Sequence, residues 1–147
     1  MSININIIKK NVKKTKGFTL IELLVVIAII GVLSSVVLAS LNTARGKGAN
    51  AAIRQNMNSL RAQAEVYYDS SPTGYTGVCD DPQILKIRAA ADLASGGTTY
   101  CLDVPSSSWV VSSPLKVADG LNNFWCVDGS GVGRGHPTVL TVETACP

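Results

Sequence analysis

A long apolar stretch follows a short polar segment at the start of the chain. From Phe18 to Leu41 the residues are almost wholly apolar, and Glu22 is the only charged residue among them. An α-helix rises roughly 1.5 Å per residue, so this stretch would be about 36 Å long and could cross the hydrocarbon core of a bilayer, about 30 Å thick. The pattern therefore predicts a transmembrane helix over residues 18–41.

Residues 42–69 are more polar but keep a helical period. Apolar side chains recur every three or four residues, which places them on one face of an α-helix. They are Ile53, Met57, Leu60, Ala64 and Tyr67. No proline precedes Pro72, so we expect one helix from Phe18 to Asp69, weakened at Gly46 and Gly48 by about 1 kcal/mol each relative to alanine. Its amphipathic part, residues 42–69, should pack against the C-terminal domain.

The C-terminal part, residues 70–147, contains every proline and cysteine of the chain. After a turn at Ser70–Gly77, Asp81 and Pro82 are typical of a helix cap and first helical position, and Gly96 should end that helix. We predict strands at Trp109–Val111, with an extension to Lys116 as an alternative, at Phe124–Asp128 and at Thr138–Val142. Turn signals at Asp119-Gly120 and Asp128-Gly129 connect them as an antiparallel meander. The predicted fold class is α+β.

Composition and charge narrow the classes of protein. Hydrophobic residues make up 46% and charged residues 16% of the chain, with a mean hydropathy of +0.25, which excludes a disordered polar chain. The leader, residues 1–16, has five lysines and no acid, so the net charge of +3 conceals an acidic remainder. We therefore expect no nucleic-acid partner. The lysines should hold the N-terminus in the cytoplasm, and the later cysteines indicate an oxidising compartment outside.

The junction between leader and apolar stretch reads Lys16-Gly17-Phe18-Thr19-Leu20-Ile21-Glu22. This closely resembles the type IV prepilin signal, which is shared by type IV pilins and type II secretion pseudopilins. The resemblance implies that prepilin peptidase, a membrane aspartyl protease, removes residues 1–17 by cutting between Gly17 and Phe18 and then methylates the new amine of Phe18. Gly17 suits such a site because it lacks a side chain and lets a protease approach the backbone.

Glu22 has a physical reason to take part in assembly. A carboxylate in an apolar span needs a partner, and nothing else in the span is expected to supply one. In the resembling family this acid pairs with the α-amine of a neighbouring subunit, here Phe18, and fixes the axial register. The alternative is that Glu22 reaches interfacial water and has no role.

A stripe of small residues follows on the same helix. Its members are Ala28, Gly31, Ser35 and Ala39. Such stripes allow helices to approach closely in a filament core, although small residues are also common in membrane helices in general. Ala39 stands where many major pilins carry a helix-kinking proline.

The four cysteines allow three pairings. We favour Cys79–Cys101, which would staple the connecting loop, and Cys126–Cys146, which resembles the C-terminal disulfide loop of pilins. No pair has the C-x₂-C spacing of a structural zinc site, so we expect no metal. The single histidine, His136, is expected in a surface turn. No catalytic set can be assembled around it, and we expect neither an enzyme nor a cofactor.

The leading hypothesis is a structural subunit of a type IV pilus or related filament. Its partners would be copies of itself, prepilin peptidase and an inner-membrane assembly platform with an ATPase. It would begin as a single-pass precursor in the cytoplasmic membrane and end in a cell-surface filament. A pseudopilin of a type II secretion or DNA-uptake system is the alternative. A further alternative is a binding protein released by signal peptidase after Val37-Leu38-Ala39.

Overall fold

The computed structural model describes residues 17–104, 107–140 and 144–147. The chain separates into two compact units, of which the first ends at Ala39 and the second begins at Ser40. The elements are helix α1 (Leu20–Ser70), a 3₁₀ turn (Val78–Asp80), helix α2 (Pro82–Ser95) and strands β1 (Tyr100–Val104), β2 (Ser108–Asp119), β3 (Asn122–Asp128) and β4 (Gly133–His136). The strands form one antiparallel sheet in chain order. The predicted α+β class and antiparallel meander are therefore confirmed.

Helix α1 is continuous from Leu20 to Ser70, as its uninterrupted pattern predicted. It is long and apolar enough to cross a membrane, with a mean hydropathy of 2.8 in its most apolar window and none of that window buried. The large apolar side chains from Leu20 to Leu41 are 42 to 88% exposed. Among its described residues, the first unit therefore provides no apolar partner for its own helix.

The second half of α1 packs on the sheet through the predicted stripe. Ile53, Met57, Leu60 and Ala64 are at most 1% exposed, and Tyr67 packs partly buried beside them. They share a core with side chains from α2 and the sheet, namely Ile84, Trp109, Val111 and Val127. The prediction that this stripe faces the C-terminal domain is confirmed.

Gly46 has a packing role that the sequence did not reveal. A β-carbon at this position would lie 2.6 Å from Cγ1 of Val117, so only glycine lets β2 approach α1 this closely. One turn later, Asn50 is nearly buried and bonds the same strand. Its Oδ1 accepts from the backbone N–H of Lys116 (2.8 Å) and Val117 (3.2 Å), and its Nδ2 donates to the Val117 carbonyl (2.8 Å).

Helix α2 begins and ends where its cap residues predicted. The Asp81 side chain accepts hydrogen bonds from the backbone N–H of Gln83 (2.9 Å) and Ile84 (3.1 Å), with Pro82 at the first helical position. Gly96 ends the helix with a φ of 77°, which favours glycine.

One predicted strand was wrong, and one strand was not predicted. The last strand is Gly133–His136 rather than Thr138–Val142. Pro137 has no N–H to continue the ladder, and Leu140 is instead buried beside the second disulfide. Residues 141–143 of the predicted strand lie outside the described residues. Strand β1, Tyr100–Val104, was missed; it pairs with the first half of β2. Strand β2 runs through Lys116, so the longer of the two predicted extents of this strand is the correct one.

Asp128 organises the turn between β3 and β4 and the C-terminal end. Its Oδ1 accepts hydrogen bonds from Ser130 N (3.0 Å), Ser130 Oγ (2.6 Å) and Val132 N (3.2 Å), and its Oδ2 accepts from Cys146 N (2.8 Å). Burial raises the pKa of the Asp128 carboxyl, but the hydrogen bonds from Ser130, Cys146 and Val132 together outweigh it and hold the pKa below its ordinary value. The ionised form is therefore favoured in the folded state.

We expect Asp128 to stabilise the second unit most at neutral pH. Its folded pKa is lowered, so its contribution is present above the ordinary value of 3.8 and is lost as the pH falls through the folded pKa. Asp128→Asn should lower Tm at pH 7, and the gap to wild type should narrow below pH 3.8. Thermal unfolding followed by near-ultraviolet circular dichroism measures this, with exposed Asp80→Asn as the control. A gap that stays constant with pH would contradict the assignment.

Candidate functional site

The predicted processing junction lies before the helix begins. Gly17, Phe18 and Thr19 are non-helical and exposed, and α1 starts at Leu20. The Phe18 side chain is 87% exposed, and a β-carbon placed on Gly17 would meet no atom within 4 Å. The backbone around the Gly17–Phe18 bond is therefore accessible, as a protease substrate requires.

Thr19 and Glu22 form a capping box at the start of α1. The Thr19 backbone N–H and its hydroxyl both donate to Glu22 Oε2, at 2.8 and 2.9 Å. In return the Glu22 backbone N–H donates to Thr19 Oγ1 at 3.2 Å. The first helical hydrogen bond runs from Leu23 N to the Thr19 carbonyl, so Thr19 is the N-cap and Glu22 the third helical residue.

The capping box corrects one expectation about Glu22. The sequence analysis expected no partner for this acid within the span, but Thr19 supplies two donors. Both hydrogen bonds end on Oε2, and within the described ranges none reaches Oε1. The missed signal was local: a threonine followed three residues later by a glutamate, directly before an apolar run, is typical of a capping box.

The four small residues predicted to pack helices are all exposed on α1. A β-carbon on Gly31 would meet no atom within 4 Å. Ser35 donates its hydroxyl to the Val32 carbonyl at 2.7 Å, so its donor is satisfied within its own helix. The role of Ala28, Gly31, Ser35 and Ala39 in packing between subunits stays a prediction.

The cysteines form the two disulfides that the sequence analysis favoured. Cys79–Cys101 ties the 3₁₀ turn to β1, with a Cα–Cα distance of 5.8 Å. Cys126–Cys146 ties β3 to the C-terminal end, at 5.7 Å, and Arg134 donates to the Cys146 carbonyl at 2.9 Å. Among the described residues, no group of three or more His, Cys, Asp or Glu side chains is placed to hold a metal ion.

His136 is buried, which corrects the expectation of a surface turn. It is the last residue of β4 and only 3% exposed. Its Nε2 lies 3.0 Å from Ser112 Oγ, and its ring stacks on Phe124 with centroids 5.6 Å apart. The pairing of β4 with β3 carries His136 into the sheet, because residue 136 lies opposite Phe124 in the register.

Comparison with known proteins bears on the N-terminal region. Residues 12–38 match the model of the prokaryotic N-terminal methylation motif, which spans the predicted cleavage junction, the capping box and most of the apolar segment, residues 18–41. The chain carries a class III signal. Type IV pilins and pseudopilins carry the same kind of signal, and it implies processing by prepilin peptidase and filament assembly. No curated protein and no solved structure matches the chain.

The matched motif covers the predicted junction at Gly17–Phe18 together with Thr19 and Glu22. The long helix with a small antiparallel sheet is likewise a pilin-like α+β arrangement.

We expect Thr19 to hold the first turn of α1 together. Replacing it with valine, which has a similar shape but no hydroxyl, removes one donor to Glu22 and the acceptor of the Glu22 N–H. Amide hydrogen exchange at Leu20–Leu23 in detergent micelles should accelerate. The control is Thr19→Ser, which keeps the hydroxyl and should exchange as slowly as wild type; equal exchange in both variants would contradict the capping role.

Proposed function

We propose that this chain is a structural subunit of a type IV pilus or a closely related filament. The observation that supports this is a class III signal joined directly to an apolar helix with no partner in its own unit. Such a helix is stable in a bilayer or among copies of itself, but not in water. The protein therefore acts by assembly rather than by catalysis.

Processing is the first step of the proposed mechanism. Prepilin peptidase cuts between Gly17 and Phe18, removes the leader together with Gly17 (residues 1–17 in all) and methylates the Phe18 amine. Supporting features are the open space beside Gly17 and the exposed, non-helical backbone that precedes α1. Until then the leader and residues 18–41 hold the precursor in the cytoplasmic membrane.

Pairing of charges is the second step. The cleaved subunit has a cationic Phe18 amine, and a neighbouring subunit offers the Glu22 carboxylate. Glu22 Oε2 is already held by Thr19, so the carboxylate is oriented and Oε1 remains for an incoming amine. A wrong axial stagger would leave two unpaired charges in an apolar core, so this ion pair fixes the register of the helices.

Helix bundling completes the assembly. The exposed apolar side chains of residues 18–41 become buried against neighbouring helices, and the stripe of small residues allows close approach. Extraction from the membrane requires an assembly platform driven by an ATPase. Residues 42–69 and 70–147 then form the disulfide-stapled surface of the extracellular filament.

Two alternatives are separated by observation. A pseudopilin of a type II secretion or DNA-uptake system shares the class III signal, and long surface filaments composed mainly of this chain distinguish a pilin from it. Release by signal peptidase would cut before Ser40, in the interior of the continuous helix α1, where the backbone is hydrogen-bonded and a poor protease substrate.

We expect the exported chain to begin at a methylated Phe18. Intact mass spectrometry of protein sheared from the cell surface measures the cleavage point, the methyl group and both disulfides together. Gly17→Leu should leave full-length precursor because its side chain blocks the protease. Gly48→Ala, where a β-carbon also meets open space, is the matched control and should be processed normally. A chain that begins at Ser40, or keeps its leader, would overturn the proposed processing.

We expect Glu22→Gln to be processed normally yet to form no filaments. Glutamine keeps the size of the side chain and can still accept from Thr19, but it cannot pair with an amine as an anion. Electron microscopy of sheared material, together with the mass of the membrane-bound chain, measures assembly and processing separately. Glu65→Gln, outside the apolar segment and bonded to Tyr75, is the control. Normal filaments from Glu22→Gln would defeat the register argument.

A further inference from the structure

Charged residues are sorted by sign along the start of the second unit. Residues 40–61 include four cations and no acid, and residues 62–81 include four acids and no cation. The cations are Arg45, Lys47, Arg54 and Arg61, and the acids are Glu65, Asp69, Asp80 and Asp81. All four cations and the first two acids lie on α1, so the change of sign follows the direction of this helix.

The acids gather where α1 stops. Tyr75 donates its hydroxyl to Glu65 at 3.0 Å, so the turn after α1 folds back against the helix. The backbone N–H of Gly77 then donates to Asp103 at 2.7 Å, which adds an acid from β1. We call this surface the acidic end. Its members are Glu65, Asp69, Asp80 and Asp103, of which the first three are exposed.

Cations gather at the opposite end of the unit, where β2 packs on α1. Arg45 and Lys47 are exposed beside the buried Gly46, against which β2 lies. Lys116 is exposed on β2, and its Nζ lies 3.1 Å from the position that a β-carbon on Gly96 would take, so it is close to the C-terminal end of α2. We call Arg45, Lys47 and Lys116 the basic end.

Neither end is neutralised within one chain. Lys47 and Asp69 lie 22 residues apart on one helix, about 33 Å, and physiological salt screens exposed charges beyond about 8 Å. Across the described ranges the only ion pair is Arg54–Asp119, which belongs to neither end. Arg88 reaches toward the acidic end, but it is half-buried and donates to two backbone carbonyls. Each end therefore needs a charged partner from outside the chain.

Both ends also expose apolar side chains. Val66 is 58% and Tyr68 is 46% exposed beside the acids, and Val117 is 38% exposed beside the cations. Contacts between proteins commonly combine an apolar centre with a polar rim. Because the charges at the two ends are opposite, each end complements the other and repels its own kind.

We propose that the acidic end of one copy docks on the basic end of another, so that the second units join head to tail. This rests on the proposed filament, and it names the surfaces of the second unit that meet there. A contact between two different surfaces repeats from copy to copy, and it builds a helical filament unless the rotation closes it into a ring. The occupant of each end is therefore a second copy of this chain.

Zero-length crosslinking of intact filaments tests the contact directly. A carbodiimide joins a carboxylate to an amine only where the two groups touch, and mass spectrometry of the digested filaments locates the joined residues. We expect Lys47 to be joined to Glu65 or Asp69. Within one chain these acids lie about 27 and 33 Å from Lys47 along α1, so the crosslink reports two copies. The matched control is Lys47→Arg, which keeps the charge without a primary amine and should lose the crosslink but keep the filaments.

Charge reversal tests the same contact in cells that produce only the variant chain. The basic-end variant is Arg45→Glu with Lys47→Glu, and the acidic-end variant is Asp69→Lys with Asp80→Lys. Each should lower the yield of sheared filaments at least about tenfold, because like charges then meet. All four changes together should restore most of the yield, because the ends are again opposite. Lys86→Glu, an exposed position on α2 outside both ends, is the matched control and should leave the yield unchanged.

Three results would overturn the docking and leave the proposed function intact. The first is a normal filament yield from either reversed variant. The second is a fourfold variant that is processed, keeps both disulfides and assembles no better than the reversed variants. The third is a wild-type filament in which Lys47 is joined to no acid of the acidic end. A wild-type chain that forms no filaments at all would remove both the docking and the proposed function.

Discussion

An apolar helix that carries a single acid near its start dominates the physical chemistry of this protein. From Leu20 to Leu41 the large side chains are exposed on every side of α1, and the first unit provides nothing to cover them. Water is a poor solvent for such a surface, so it must be transferred either to lipid or to other helices. In both environments the Glu22 carboxylate is costly to bury without a partner.

The capping box shows how the acid is accommodated in a single chain. Thr19 satisfies Oε2 with its backbone N–H and hydroxyl, so the carboxylate has a local partner before any neighbour arrives. In the proposed assembly, the same geometry orients the group for a second partner at Oε1. One short motif therefore caps the start of the helix and takes part in the proposed ion pair. An acid in the first turn also complements the helix dipole.

The second half of α1 differs from the first because one of its faces is buried within its own unit. Here a stripe of apolar side chains is buried by the sheet, and two disulfides and the Asp128 hydrogen bonds hold the surrounding loops. Gly46 is the first buried residue of α1, and the absence of a side chain there lets β2 lie next to the helix.

Local patterns in the sequence determined the long helix, the buried stripe from Ile53 to Ala64, the caps of α2 and the processing motif, because each depends on neighbours within a few residues. The Thr19–Glu22 capping box was equally local and could have been read. The tertiary structure alone decided the pairing of β1, the position of β4, the burial of His136 and the packing of Gly46 on Val117. Those features depend on which distant segments meet, and a strand of four or five residues carries too little periodicity to specify its partner in advance.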